Sequence, residues 1–319
     1  MSTDAMRRYV EQALLRHAER DGWEALRMVS ALAARIHPVG PSELVLRACR
    51  AAGGASERGH PAAASLFCLH TAIHLVDDLI DEEERFVVDL TPGLLANLAL
   101  ALQSLAIEVL EDAPAAVRAE LMRAAAIAGR ETARGQELDA AGAADEEAYW
   151  KNVESKTPPL FAAALYMGAL LGGAAPEVGS ALAKAGTPLG VLVQLGDDLG
   201  DVMDARLHPD WQRPGDNIAL RFALEADHPE RERFRALAAR IAEPGAHAEA
   251  REILVRSGAF SFCVHHMLLA AGEARRQVLS LPLADPAPLL ETIDHLAAPV
   301  TGLLAEVGAA AGDLAAAGA

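Results

Sequence analysis

The chain has 319 residues, 52% of them hydrophobic and only 4% aromatic, which is ample apolar material for a large buried core. Its net charge of −17, with lysine confined to Lys151, Lys156 and Lys184, excludes a non-specific hold on nucleic acid or on an anionic membrane, since either needs clustered basic side chains. The same charge repels an anionic substrate at long range, so such a substrate would need metal ions to bind.

Alanine and leucine dominate the apolar content. Both lose little rotamer freedom in a helix, so the expected fold class is all-α. Cys49, Cys68 and Cys263 are odd in number, far apart and set in apolar sequence, which predicts buried reduced thiols rather than disulfides or a zinc site. The stretch from Met1 to Asp21 is charged and amphipathic, without an apolar signal core, and predicts a cytoplasmic protein.

Along the chain, apolar residues recur at three- and four-residue spacing, interrupted at Pro38 to Pro41, Gly53-Gly54, Thr91 to Gly93, Ala113-Pro114, Ala141 to Ala144, Ala175-Pro176, His208 to Gly215, His228-Pro229, Pro244-Gly245 and Pro282 to Pro288. This pattern predicts roughly ten or more helices of about 12 to 30 residues and no strand. Five long helices are expected over His60 to Glu84, Thr91 to Glu111, Pro114 to Ala140, Glu146 to Gly173 and Pro176 to Ala205. The longest uncharged run, Thr157 to Pro176, approaches spanning length but has prolines near both ends and several glycines. It is expected to be a buried helix, and the protein not to be an integral membrane protein. With no linker or charged tail to divide it, 1–319 is read as one bundle-like domain.

Two of the expected helices carry aspartates near their C-terminal ends, where the helix dipole disfavours negative charge. In Asp77-Asp78-Leu79-Ile80-Asp81 the first and last carboxylates lie four residues apart on one face and repel each other. Asp197-Asp198-Leu199-Gly200-Asp201 repeats the spacing after the apolar run Val191 to Leu195. Either cluster alone could be an acidic helix end, but two copies after buried-looking helices point to divalent cations, and hard carboxylate oxygens suit magnesium. Ions held in this way can clamp a diphosphate as a leaving group, and an apolar helical cavity would shield the carbocation left behind, as a prenyl chain requires.

On these residues the chain resembles the trans-isoprenyl diphosphate synthases, or polyprenyl synthetases, over about Ala51 to Leu224. His70-Thr71-Ala72 ahead of Asp77 to Asp81 resembles the family's first aspartate-rich motif, and Gly135-Gln136-Glu137-Leu138-Asp139 its Gly-Gln-x-x-Asp helix. Lys156-Thr157 resembles its Lys-Thr pair, and Gly190 through Gln194 to Asp201 its second motif. The resemblance implies an isoprenoid synthase-type helical bundle around a central cavity, working as a homodimer. It also implies magnesium, three ions with diphosphate bound, on Asp77, Asp81, Asp197 and Asp201, with Asp78 and Asp198 supporting the clusters. Lys156 would contact the diphosphate. His70, Ala72, Arg85, Gln136, Asp139, Thr157 and Gln194 would line the substrate site, and the small Ala72 would admit a prenyl chain of about C15 to C20 or longer.

The departures from the family concern its basic residues. Where elongating members carry Gly-Gly-Lys-Arg-x-Arg-Pro, this chain reads His37-Pro38-Val39-Gly40-Pro41-Ser42, and the family's Arg-Arg pair falls on Phe86-Val87 beside Arg85. The lysine expected after the second motif falls on Gly215. These side chains hold isopentenyl diphosphate in the family, and each missing charge-assisted contact costs roughly 1.5–3 kcal/mol. The expected activity is therefore ionisation of an allylic prenyl diphosphate and prenyl transfer to an acceptor other than isopentenyl diphosphate. The rivals are a terpene synthase using the prenyl diphosphate alone and a non-catalytic partner subunit. His74 and His265-His266 are read as structural. Arg206, Arg213 and Arg221 could replace lost cations, though each is expected at the surface.

Overall fold

The structure, a computed structural model, describes residues 2–37, 39–80 and 90–306. Among these there are fifteen α-helices and no strand. The chain begins with α1 (Ser2–Asp21), α2 (Glu24–Ala31), α3 (Pro41–Ala51), α4 (His60–Ile80), α5 (Pro92–Glu108), α6 (Ala115–Ala140), α7 (Glu146–Lys156) and α8 (Pro158–Gly172). It continues with α9 (Pro176–Ala183), α10 (Gly186–Met203), α11 (Ile218–Glu225), α12 (Arg231–Ala238), α13 (Ala246–Ser257), α14 (Ala259–Leu279) and α15 (Ala287–Glu306).

Local chemistry sets the boundaries. Prolines open α3, α5, α8 and α9, positions where a missing N–H costs nothing. The Asp145 carboxylate accepts from the Ala148 N–H at 2.8 Å and caps α7, and the Asn217 side chain caps α11. Gly173 closes α8 at φ 97°, a conformation that glycine adopts without strain.

Two of the five expected helices are each broken in two. The helix expected over Glu146 to Gly173 divides at Thr157, because Pro158 and Pro159 remove two consecutive donors. The one expected over Pro176 to Ala205 divides after Ala183, where Pro188 cannot donate back to Lys184. The helix expected to end at Glu84 is described as far as Ile80.

The apolar faces assemble into two cores. One gathers Leu14 of α1, Leu44 of α3, Leu66 of α4, Leu102 of α5, Leu121 of α6 and Leu165 of α8. The other gathers Val153 of α7, Leu195 of α10, Phe234 of α12, Ile253 of α13 and Met267 of α14 around Trp211. Helix α10 runs between them, with Leu189 in the first core and Leu192 in the second, while Ala271 and Leu296 pack against both. All three cysteines are buried free thiols, and burial pushes those of Cys68 and Cys263 up to about 12.

By length and composition the stretches Ser56–Ile80 and Pro92–Asp112 could each cross a membrane. The first packs inside the bundle with 67% of its apolar window buried, against 39% for the second. The uncharged run from Thr157 forms α8, 15 residues long and buried along most of its length.

One close approach fixes the frame of the acidic cavity described below. A methyl group at Gly135 of α6 would stand 2.2 Å from the Ser155 carbonyl oxygen of α7, so the two helices touch backbone to backbone there. Gly135→Ala is expected to force them apart at a cost of about 1–3 kcal/mol, read as a fall in thermal midpoint; an unchanged midpoint would show that the contact is slack.

Candidate active site

The apolar run of α4 ends in Asp77, which is 7% exposed and fronts a cavity of about 760 Å³. Gln136 Nε2 of α6 donates to Asp77 Oδ1, and Lys156 Nζ lies 3.5 Å from the same oxygen. Lys156 also holds Asp139 Oδ2 at 2.7 Å. The ammonium thus sits between the first aspartate cluster and the Gly-Gln-x-x-Asp helix. The kink imposed by Pro158-Pro159 turns Lys156 and Thr157 into the cavity from the end of α7.

Asp197, Asp198 and Asp201 of α10 line the same cavity. The helix can lie this close because Gly190 has no side chain: a Cβ there would meet the Pro158 Cα at 2.7 Å. Asp198 differs from its neighbours. Its Oδ2 accepts from the Tyr149 hydroxyl at 2.7 Å and the Ile218 N–H at 3.0 Å, and its Oδ1 accepts from Gln194 Nε2 at 3.0 Å. Burial pushes its pKa up to about 7, against the lowering effect of these three donors. It ties α10 to α7 and to the start of α11. The Thr157 hydroxyl reaches Gln194 Oε1 at 3.5 Å, extending this network toward Lys156.

Beyond α10 the chain supplies groups that spacing alone did not reveal. His208 and Asp210 line the cavity in the turn before α11, and the buried Asn217 donates to Asp210 Oδ2 at 2.8 Å and to the Asp198 carbonyl at 2.9 Å. Arg213 also lines the cavity, paired with Asp216 at 2.9 Å. Arg221, expected at the surface, is instead 4% exposed. Its guanidinium donates to the carbonyls of Gly215 and Ala143, because a buried charge must satisfy its donors locally. Arg206 is exposed as expected.

A second cavity, of about 510 Å³, adjoins the first. Ile80 lines both, and Gln136, bonded to Asp77, lines the second. Its walls are mostly apolar and mix small side chains, such as Ala72 of α4, Ala99 of α5 and Gly129 of α6, with larger ones, such as Leu69, Ile73 and Leu100. Ala72, expected to border the prenyl pocket, lies on the wall of this cavity. Asp81, Arg85, Phe86 and Val87 lie outside the described residues.

His70 and His74 meet through their Nε2 atoms at 2.9 Å. One must donate and the other accept, so the contact excludes two charged rings. Burial, then the neighbouring His74, pushes the pKa of His70 down to about 3. His266 packs against Trp150 and Phe262, with ring centroids at 4.8 and 4.5 Å, in keeping with its structural reading. A histidine held neutral when folded contributes stability that is complete above its unfolded pKa near 6.5 and is lost as pH falls toward the folded value. Between pH 7 and pH 5 the chain is expected to lose on the order of 1–2 kcal/mol through His70. His70→Gln should flatten that decline in urea titrations; an identical slope would exclude this origin.

Residues 42–210, more than half of the chain, match the family model described as polyprenyl synthetase. A (2E,6E)-farnesyl diphosphate synthase of Mycobacterium tuberculosis is 37% identical over 183 residues, covering 54% of this chain and 48% of that protein. The chain thus spans about half the length of the mycobacterial relatives it matches. Among solved structures, a geranylgeranyl pyrophosphate synthetase of Pyrococcus horikoshii superposes with TM-score 0.78 at 18% identity, covering 94% of this chain and 97% of that one. A geranylgeranyl pyrophosphate synthase of Corynebacterium glutamicum, solved with calcium and isoprenyl diphosphate, gives 0.74 at 21% identity over 94% and 95%. These structures share the helical fold, and the family match over more than half of its length shows that the chain belongs to the polyprenyl synthetases.

Proposed function

We infer that this protein ionises an allylic prenyl diphosphate and transfers the prenyl group to an acceptor. One observation carries the reading: an acidic cavity lined by Asp77, Asp197 and Asp201 adjoins an apolar cavity, with Ile80 lining both. The first suits a diphosphate with its counter-ions, and the second an isoprenoid tail; both fall within the usual size of ligand sites. The mycobacterial relative's own description, farnesyl diphosphate synthase, is in keeping with this.

The donor set fits magnesium, since Asp77, Asp197 and Asp201 offer hard carboxylate oxygens in a cavity with room for retained water. Asp81 would complete the first cluster, and three ions are the number the family resemblance implies. When bound, magnesium neutralises the charge that gathers on a departing diphosphate. The chain's own residues do the rest. Gln136 orients Asp77. Lys156, fixed by Asp139, presents a cation to the diphosphate, and Thr157 with Gln194 holds Asp198 and hence α10 in place. The alanine-lined cavity keeps water from the allylic cation until the acceptor attacks.

The acceptor is read as something other than isopentenyl diphosphate, because residues 36–42 carry neither lysine nor arginine and Arg221 is committed to the Gly215 and Ala143 carbonyls and the Glu225 carboxylate. With magnesium and geranyl, farnesyl or geranylgeranyl diphosphate, diphosphate release is expected, and Asp77→Ala or Asp201→Ala should lower it about 10²-fold or more. Mass spectrometry of the products then decides the acceptor. Longer diphosphates on adding isopentenyl diphosphate would refute the assignment made here, and a cyclic product from one substrate would replace transfer by cyclisation. No release with any substrate would refute the enzymatic reading.

A homodimer is proposed on the exposed apolar side chains of α5 and α6, Leu94, Leu100 and Ile127. Sedimentation velocity should return twice the chain mass, and Leu94→Glu combined with Ile127→Glu should return the single mass; a monomeric parent protein would refute the dimer.

A further inference from the structure

Helix α7 touches both aspartate clusters. Near its start, the Tyr149 hydroxyl donates to Asp198 Oδ2 of the second cluster at 2.7 Å. At its end, Lys156 lies 3.5 Å from Asp77 of the first cluster and 2.7 Å from Asp139. The two positions are about two turns apart, so both side chains leave the same side of the helix, roughly 10 Å from each other along its axis. The helix between them is firmly seated: its Ser155 carbonyl lies against Gly135 of α6, and Asn152 Nδ2 donates to the Leu138 carbonyl at 3.3 Å. It therefore acts as a spacer between the clusters. Tyr149 is 2% and Asp198 3% exposed, so bulk water cannot take the place of the hydroxyl. Two further donors reach the Asp198 carboxylate, Gln194 from its own helix and the Ile218 N–H from α11. Of these three, Tyr149 alone belongs to the helix that holds Lys156.

We propose that Tyr149 is a positioning residue for the reaction: by holding Asp198 it fixes Asp197 and Asp201, on the same helix, at the separation from Asp77 and Lys156 at which cations and a diphosphate fit between the clusters. This rests on the reading of the two clusters as metal ligands. The tyrosine acts through Asp198, so losing its hydroxyl weakens ion binding and leaves the apolar cavity as it is. Groups that orient metal ligands from behind in this way commonly matter as much as tenfold or more to metal affinity.

The test uses the full chain and titrates magnesium in two ways, through calorimetric binding of inorganic diphosphate and through diphosphate release from farnesyl diphosphate. Tyr149→Phe keeps the ring in the core and removes only the donor. It should raise the half-saturating magnesium concentration about tenfold in both titrations, while kcat at saturating magnesium changes much less. Replacing Tyr149 by 4-aminophenylalanine, which returns a donor to the same place, should bring the magnesium requirement back toward that of the parent. Circular dichroism melting reports the stability cost separately. A lowered thermal midpoint with an unchanged magnesium requirement would make the tyrosine a purely structural contact and overturn the proposal, as would a raised requirement that the amino variant does not reverse. A parent protein whose diphosphate binding is indifferent to magnesium would overturn the metal reading, and the proposal with it.

Discussion

Among the described residues seven aspartates line the larger cavity, Asp77, Asp139, Asp197, Asp198, Asp201, Asp210 and Asp216, and their mutual repulsion is the constraint that organises this end of the molecule. Unit charges about 4 Å apart repel by about 4 kcal/mol at a partly screened surface, so the helices bearing them converge only where something offsets that cost. Lys156 draws Asp77 and Asp139 together, Arg213 holds Asp216, and Asp198 is met by three hydrogen-bond donors. Asp201 lies 3.5 Å from His208 Nε2, and Asp210 accepts from Asn217 at 2.8 Å.

That constraint also explains how the backbone is spent. Gly135 and Gly190 let α6 and α10 approach the junction of α7 and α8 to backbone contact, and Pro158-Pro159 bends that junction so that Lys156 and Thr157 face inward. Short-range packing of small residues thus sets the distance between charges. The neighbouring apolar cavity owes part of its room to alanine and glycine on three helices, Ala72, Ala96, Ala99, Gly129 and Ala133. A leucine-rich version of those helices would close it.

What could be read before folding was whatever is carried by spacing along one helix. The aspartate pairs, Gly135 to Asp139, Lys156-Thr157 and Gln194 each declare themselves over a few residues, and the folded chain brings Asp77, Asp139, Lys156, Thr157, Gln194, Asp197, Asp198 and Asp201 to a single cavity. His208, Asp210 and Asn217 gave no such signal, because they lie in an irregular turn whose path depends on tertiary contacts. Tyr149 reads as one more apolar position of α7 until its hydroxyl is seen on Asp198. Arg221 was misplaced for a related reason: nothing along the chain shows that carbonyls of Gly215 and Ala143 converge on one guanidinium. The break at Thr157 was legible in the two prolines but was outweighed by the unbroken apolar pattern around them.

The passage of α10 from one hydrophobic core to the other has a thermodynamic consequence. Asp77 belongs to a helix seated in the first core, whereas the aspartates of α10 lie on the stretch buried in the second. A ligand that spans the cavity therefore cross-links two packing units, and its binding free energy adds to whatever couples their unfolding. Such a bridge would add to the coupling that α10, Ala271 and Leu296 already provide between the two cores.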